Sequence, residues 1–190
     1  MDGSSSDDEP PINFKILLLP LIIILGLLVS FIIGGKSLII IFLLIVINKV
    51  VLDQLRINSY LGLEIITLVD VLTGIIYGPK FAFIFCFIAL PILDILRFVY
   101  APPLDVYWPP LLPSIESFVD GIIGAIAGIM SGHFSFLVIL ISCVILKSSM
   151  FMIKDKIIGE SIFFLANILR VVFYLFLGIF IQQYIHIIFP

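Results

Sequence analysis

The sequence predicts an all-α fold, a polytopic bundle of membrane helices with about seven spans. Hydrophobic residues make up 62% of the 190 residues and charged residues only 12%, and the mean hydropathy is +1.33. A soluble domain of this length has too little interior to bury so much apolar surface. The apolar runs are long, unlike the alternating segments of about ten residues that build membrane barrels. We therefore expect a multi-pass protein of a cell membrane.

Residues 1–12 differ from the rest of the chain. They begin MDGSSSDDEPP, a polar and acidic stretch that we expect to be a disordered tail. The tail lacks the positively charged start of a cleaved signal peptide, so the first apolar run is expected to stay in the protein as a helix. Residues 13–190 are then predicted to form a single transmembrane helical domain.

Glycine, proline and polar clusters divide this domain into spans. Gly34-Gly35-Lys36 and Gly78-Pro79-Lys80 are predicted turns, because glycine permits a sharp reversal and proline cannot continue a helix. Ser114 is expected to cap the fifth span, and Lys154-Asp155-Lys156 is expected to be a solvated loop. The third span is short, and the total falls to six if it is re-entrant. The predicted spans are 14–33, 37–52, 61–77, 81–100, 114–131, 134–146 with an extension to 152, and 159–188.

The hairpin at residues 61–98 carries charges inside two apolar runs. Glu64 and Asp70 lie in the first run, and Asp94 and Arg97 lie in the second. A charge inside a bilayer must be offset by a partner or by water, so such residues indicate a functional site. Asp94 and Arg97 have the i,i+3 spacing of a helical ion pair.

If the spans alternate across the membrane, nearly all intramembrane ionisable residues fall in the half that faces the N-terminal side, here called side A. We expect a polar cavity that opens to side A and is covered by the proline-rich, aromatic loop 101–113. Asp120 and Arg170 are expected to pair across it. The alternative is that these side chains fix helix ends at the interface. This alternative is strongest for six of them: Lys49, Asp53, Glu64, Arg97, Glu116 and Lys147. The predicted ligand-binding residues are Glu64, Asp70, Asp94, Arg97, Trp108, Glu116, Asp120, Lys147, Asn167 and Arg170.

The run from Glu64 to Arg97, with its E-x-x-x-L…G-x-x-x-G-P…D-x-L-R outline, resembles the substrate-binding S components of energy-coupling-factor vitamin transporters. The resemblance implies a six-helix core at about 37–188 with one additional N-terminal helix. It also implies capture of a vitamin or similar small molecule, and docking on a transmembrane coupling subunit driven by two ATPases. Cell-shape proteins of the MreD type have a similar glycine-rich outline and are a second candidate.

The resemblance and the charge pattern give opposite orientations. The lysines and arginines concentrate on side A, which the positive-inside rule places in the cytoplasm. The S-component mapping places side A outside, since the Gly-Pro turn of that family faces the cytoplasm. Both orientations stay open at this stage.

Three classes of function remain. The favoured one is a solute-binding subunit that contacts the lipid bilayer, a small molecule and an energising partner. The second is a scaffold that uses the small-residue face formed by Gly124, Gly128 and Gly132. The third is an intramembrane enzyme built on an Asp70–Asp94 pair or on Cys143, Arg170 and His186, and we predict that the protein is not an enzyme. No cofactor or metal motif is present, and no basic stripe suggests nucleic-acid binding.

Overall fold

The computed structural model describes residues 13–52, 64–100, 114–158 and 164–188, with the side chains of 20–49, 52, 64–93, 114–157 and 164–184. Within these ranges the chain is helical and contains no strand. The predicted tail at 1–12 and the predicted covering loop at 101–113 lie outside them. The elements are α1 (Asn13–Val46), α2 (a π-helical segment, Ile47–Leu52), α3 (Ile66–Tyr77), α4 (Pro79–Tyr100), α5 (Ile115–Met130), α6 (Phe136–Ile158) and α7 (Phe164–Ile188).

Helix α1 reverses direction at Gly35. Gly35 has φ 63° and ψ −150°, a backbone conformation that glycine adopts without steric cost. Gly26 lies directly against the ring of Phe42, although sixteen residues of unbroken helix would separate them by about 24 Å. The two arms of α1 therefore pack side by side, and the turn predicted at Gly34-Gly35-Lys36 is confirmed.

Within the described part of the chain, three helical stretches are long and apolar enough to cross a membrane: Pro20–Lys49, Phe136–Ile157 and Phe164–Tyr184. They support the prediction of a membrane protein. The first stretch contains the reversal at Gly35, so it consists of two arms of about 21 Å each.

Helix α3 is short and enclosed by the bundle. Its twelve residues extend about 18 Å, well below the ~30 Å of a hydrocarbon core. Every residue from Ile66 to Gly74 is buried. Gly78, with φ 85°, ends the helix, and Pro79 begins α4, which confirms the predicted Gly-Pro turn.

Helix α5 places its glycines against α3 and α4. A side chain at Gly124 would meet Ala82 and the backbone of Asp70, and one at Gly128 would meet the backbone of Pro79. Gly124 and Gly128 therefore pack against neighbouring helices of this chain, whereas Gly132 follows α5 and is exposed. Ser114 caps α5 as predicted, since its hydroxyl accepts a hydrogen bond of 3.1 Å from the Ser117 N–H.

Helix α6 continues through the predicted loop. Lys154, Asp155 and Lys156 lie within it, so that prediction was wrong. No glycine or proline interrupts residues 134–158, and Lys154 Nζ forms an ion pair of 3.4 Å with Glu116 Oε1 on α5. Local polarity alone does not end a helix that retains its hydrogen bonds and gains a tertiary partner.

Candidate functional site: a buried ionic cluster around Lys147

Lys147 is the centre of the most polar region inside the bundle. It lies in the middle of α6 and its side chain is only 1% exposed. Its Nζ lies 2.6 Å from Asp120 Oδ1, 3.2 Å from Glu64 Oε1 and 3.6 Å from Asp70 Oδ2. One ammonium group therefore contacts three carboxylates that come from different parts of the chain.

Glu64 lies just before α3 and links that helix to its neighbours. Its Oε1 accepts a hydrogen bond of 3.1 Å from the Thr67 hydroxyl, and Arg170 Nε on α7 approaches it to 3.9 Å. The hydroxyl of Tyr174 donates a bond of 2.6 Å to the backbone carbonyl of Glu64. These contacts tie the beginning of α3 to α7.

Asn48 makes a second connection to the beginning of α3. Its Oδ1 accepts a hydrogen bond of 2.6 Å from the backbone N–H of Ile65. The first N–H groups of a helix have no partner within the helix, and Asn48 satisfies this donor from α2. The position of α3, and hence of Asp70 on it, is set from two sides.

Asp70 differs from the other two carboxylates. It is fully buried in the second turn of α3, and neither of its side-chain oxygens accepts a hydrogen bond from a nitrogen or hydroxyl group of the described residues. Its neighbours are the Lys147 ammonium group at 3.6 Å and the thiol of Cys86 on α4. A buried carboxylate normally accepts several hydrogen bonds, so Asp70 has unused capacity to accept them.

Cationic side chains accompany the carboxyl groups of the cluster. Lys147 contacts Glu64, Asp70 and Asp120, and Arg170 approaches Glu64. Lys49 on α2 also lies within electrostatic range of Asp120. Burying charge in an apolar bundle is tolerated only when opposite charges accompany it, and this set meets that condition.

The structure brings together half of the predicted site residues: Glu64, Asp70, Asp120, Lys147 and Arg170. The expected pairing of Asp120 with Arg170 takes another form, because Asp120 pairs with Lys147 and Arg170 approaches Glu64.

The other predicted site residues lie elsewhere or outside the described side chains. Glu116 lies apart from the cluster, on the surface, with a side chain 59% exposed and paired with Lys154. Asn167 is half-buried on α7, one turn before Arg170. Trp108 and the side chains of Asp94 and Arg97 lie outside the described residues, and so does Asp53.

The sequence interpretation did not assign Asn48, Thr67 or Tyr174 to the site. Tyr174 follows Arg170 by four residues, so the two share a face of α7. That spacing could have identified Tyr174 as a site residue. The sequence pointed less clearly to Asn48, which is a polar residue at the end of a predicted span.

The two enzyme hypotheses need Asp94 and His186, whose side chains lie outside the described ones, so only backbone separations bear on them. Asp70 is level with Cys86 on the antiparallel helix α4, and Asp94 follows eight residues later, about 12 Å further along the helix. His186 follows Arg170 by sixteen residues within α7, a separation of about 24 Å. An aspartyl pair and a Cys143, Arg170 and His186 set would each need their members within hydrogen-bonding reach. Among the described residues, no group of three acidic, histidine or cysteine side chains could hold a metal ion.

No family model, curated protein or solved structure matches this chain.

Replacing Tyr174 with Phe is expected to destabilise the protein by about 1–3 kcal/mol, because the Glu64 carbonyl would stay buried without its hydrogen-bond donor. The unfolding midpoint in mixed detergent micelles, followed by circular dichroism, would measure this loss. Tyr184→Phe is the matched control, since Tyr184 is exposed on the same helix. Equal midpoints for the two variants would contradict the assigned hydrogen bond.

Proposed function

We propose that this chain is a multi-pass, solute-binding subunit of a membrane transporter, and that the Lys147 cluster holds the polar part of a small solute. The observation that carries the proposal is the convergence of three carboxylates on one buried lysine inside an apolar helical bundle. Ionisable residues inside a membrane protein that face its interior mark substrate or ion pathways.

A purely structural role explains the cluster less well. One carboxylate suffices to neutralise a buried lysine, and a well-packed hydrophobic replacement is often equally stable. Here three carboxylates converge on Lys147, and Asp70 accepts no hydrogen bond from a nitrogen or hydroxyl group of the described residues. Such a carboxylate favours a solute with a hydrogen-bond donor or a positive charge, for example a protonated amine or ring nitrogen.

The depth of the cluster also supports transport. Asp70 lies eight residues before the Gly78-Pro79 turn, which corresponds to about 12 Å along α3. With that turn at a membrane surface, Asp70 lies near the middle of a hydrocarbon core of ~30 Å. Binding near the midplane suits alternating access, because both sides of the membrane are then equally far away.

The resemblance to vitamin-binding S components agrees with this function and extends the proposal. A chain of this type would work with a transmembrane coupling subunit and its ATPases, since no phosphate-binding loop occurs in the sequence. The solute would then be vitamin-like in size.

Native purification followed by mass spectrometry of co-purified small molecules tests the function. We expect a bound solute in the wild-type protein and at least about tenfold less of it in Asp70→Asn, because loss of a charged hydrogen-bond partner costs about 2–5 kcal/mol in binding. Glu116→Gln is the matched control, since Glu116 lies on the surface away from the cluster. Absence of any solute from folded wild-type protein, or equal amounts in Asp70→Asn, would refute the proposal.

A further inference from the structure

A cavity lies between the two arms of α1 and helix α4, away from the ionic cluster. Its volume is about 450 Å³, within the range of ~300–1,000 Å³ that is typical of small-molecule sites. Apolar side chains line it, including Val29, Phe42, Phe85 and Ile88, and the Ser30 hydroxyl is a rare polar group in its wall. A cavity of this composition suits a hydrocarbon and excludes a charged solute.

The cavity is elongated along the helices. On α4 its lining extends from Phe81 to Leu93, a distance of about 18 Å. This is close to the depth of one leaflet, which is half of the ~30 Å hydrocarbon core. Ile84, Ile88 and Ile92 line the cavity and are also exposed on the apolar surface of α4, so the cavity is accessible sideways from the bilayer.

Two lysines mark one end of this cavity. Lys36 lies in the turn between the arms of α1, and Lys80 lies at the start of α4, and both are exposed. The two turns are in contact, because the Tyr77 hydroxyl donates a hydrogen bond of 2.7 Å to the Gly34 carbonyl. The turn residues 34–37 and 77–80 include no acidic residue. This end of the cavity is therefore positively charged.

We propose that the cavity between α1 and α4 binds an anionic membrane phospholipid, with one acyl chain along α4 and the phosphate group between Lys36 and Lys80. The apolar lining and the length of the cavity favour an acyl chain. The ammonium groups of the two lysines favour a negatively charged headgroup. The site is separate from the Lys147 cluster, whose charged residues come from other helices, and from the solute proposed to bind there.

The proposal can be tested with the full-length protein in phosphatidylcholine bilayers that contain a minor fraction of phosphatidylglycerol carrying a photoactivatable acyl chain. We expect crosslinks on the cavity side of α1 and α4. Lys36→Gln combined with Lys80→Gln should lower phosphatidylglycerol crosslinking about 25-fold, since each lysine near an anionic lipid contributes a factor of about five. Lys154→Gln combined with Lys156→Gln, at the other end of the bundle, is the matched control and should change it little. Ala89→Phe, which fills the cavity, should reduce crosslinking there whatever the headgroup.

Three results would overturn the proposal. Crosslinks spread over the exposed face of α7, for example at Phe176, would indicate general lipid contact. Equal crosslinking by photoactivatable phosphatidylcholine would show that the cavity does not select a negatively charged headgroup. An equal loss in the control pair would show a general electrostatic effect. The Lys36→Gln and Lys80→Gln substitutions change only exposed side chains, so they test the proposal even if Ala89→Phe fails to fold.

Discussion

Replacing Lys147 with Met is expected to destabilise the protein by about 3–5 kcal/mol, the largest effect of any single side-chain truncation at the cluster. Met preserves most of the alkyl volume but removes the ammonium group that contacts Asp120, Glu64 and Asp70. Removing one partner of a buried ion pair is strongly destabilising because the opposite charge stays buried. Here three carboxylates would lose their common partner.

The measurement is the unfolding midpoint in mixed detergent micelles, with the yield of monodisperse protein as a second readout. Lys156→Met is the matched control, since Lys156 is exposed in the last turn of the same helix, and it should lie within about 0.5 kcal/mol of wild type. Adding Glu64→Gln and Asp120→Asn to Lys147→Met should recover part of the loss, because fewer charges remain without compensation. A Lys147→Met protein as stable as wild type would contradict the central role of Lys147. No recovery in the triple variant would assign the loss to packing.

The convergence of these residues could be predicted from the sequence because it depends on topology. Alternating spans place the starts of α3, α5 and α7 and the end of the predicted sixth span in the same half of the bundle. Asp120 and Arg170 were therefore expected to lie near each other, and both contact the cluster. The choice of partners was not predictable, since Asp120 has two cations within electrostatic range, and side-chain geometry decides between them.

The central position of Lys147 could not be read from the sequence. The apolar run of α6 ends at Leu146, so a lysine next to it resembles an interfacial side chain whose ammonium group reaches water. The helix instead continues for eleven residues to Ile158, which leaves Lys147 in its middle. Glu116 differs from Lys147 in the opposite way. It was predicted to belong to the site and lies one turn before Asp120 on α5, but its side chain faces the surface.

The location of the glycine face was equally ambiguous. A spacing of four residues between Gly124, Gly128 and Gly132 predicts a close helix contact, but the pattern is the same whether the partner is another protein or another part of the chain. The structure places α3 and α4 against Gly124 and Gly128. The physical reason is that α3 is enclosed by its neighbours. Gly74 of α3 lies directly against the backbone of Gly124 and Gly128, and this close approach requires residues without side chains.

Replacing Gly74 with Ala is expected to destabilise the protein by about 1–3 kcal/mol, and more if the helices cannot adjust. A Cβ atom at this position would overlap the backbone carbonyl oxygen of Gly124 and crowd the N–H of Gly128. Both obstacles are backbone atoms of α5, so α3 and α5 would have to move apart. The separation would also draw Asp70, one turn earlier on α3, away from Lys147. Solute binding at the cluster should therefore fall together with stability.

Gly178→Ala is the matched control for this substitution. The added methyl group would there meet only the ends of the Leu137 and Leu140 side chains, which can change rotamer at small cost. Because glycine is the weaker helix former by about 1 kcal/mol, Gly178→Ala should be neutral or stabilising in the same unfolding assay. Equal stability of Gly74→Ala and Gly178→Ala would contradict the backbone contact between α3 and α5, and with it the mechanism that positions Asp70 beside Lys147.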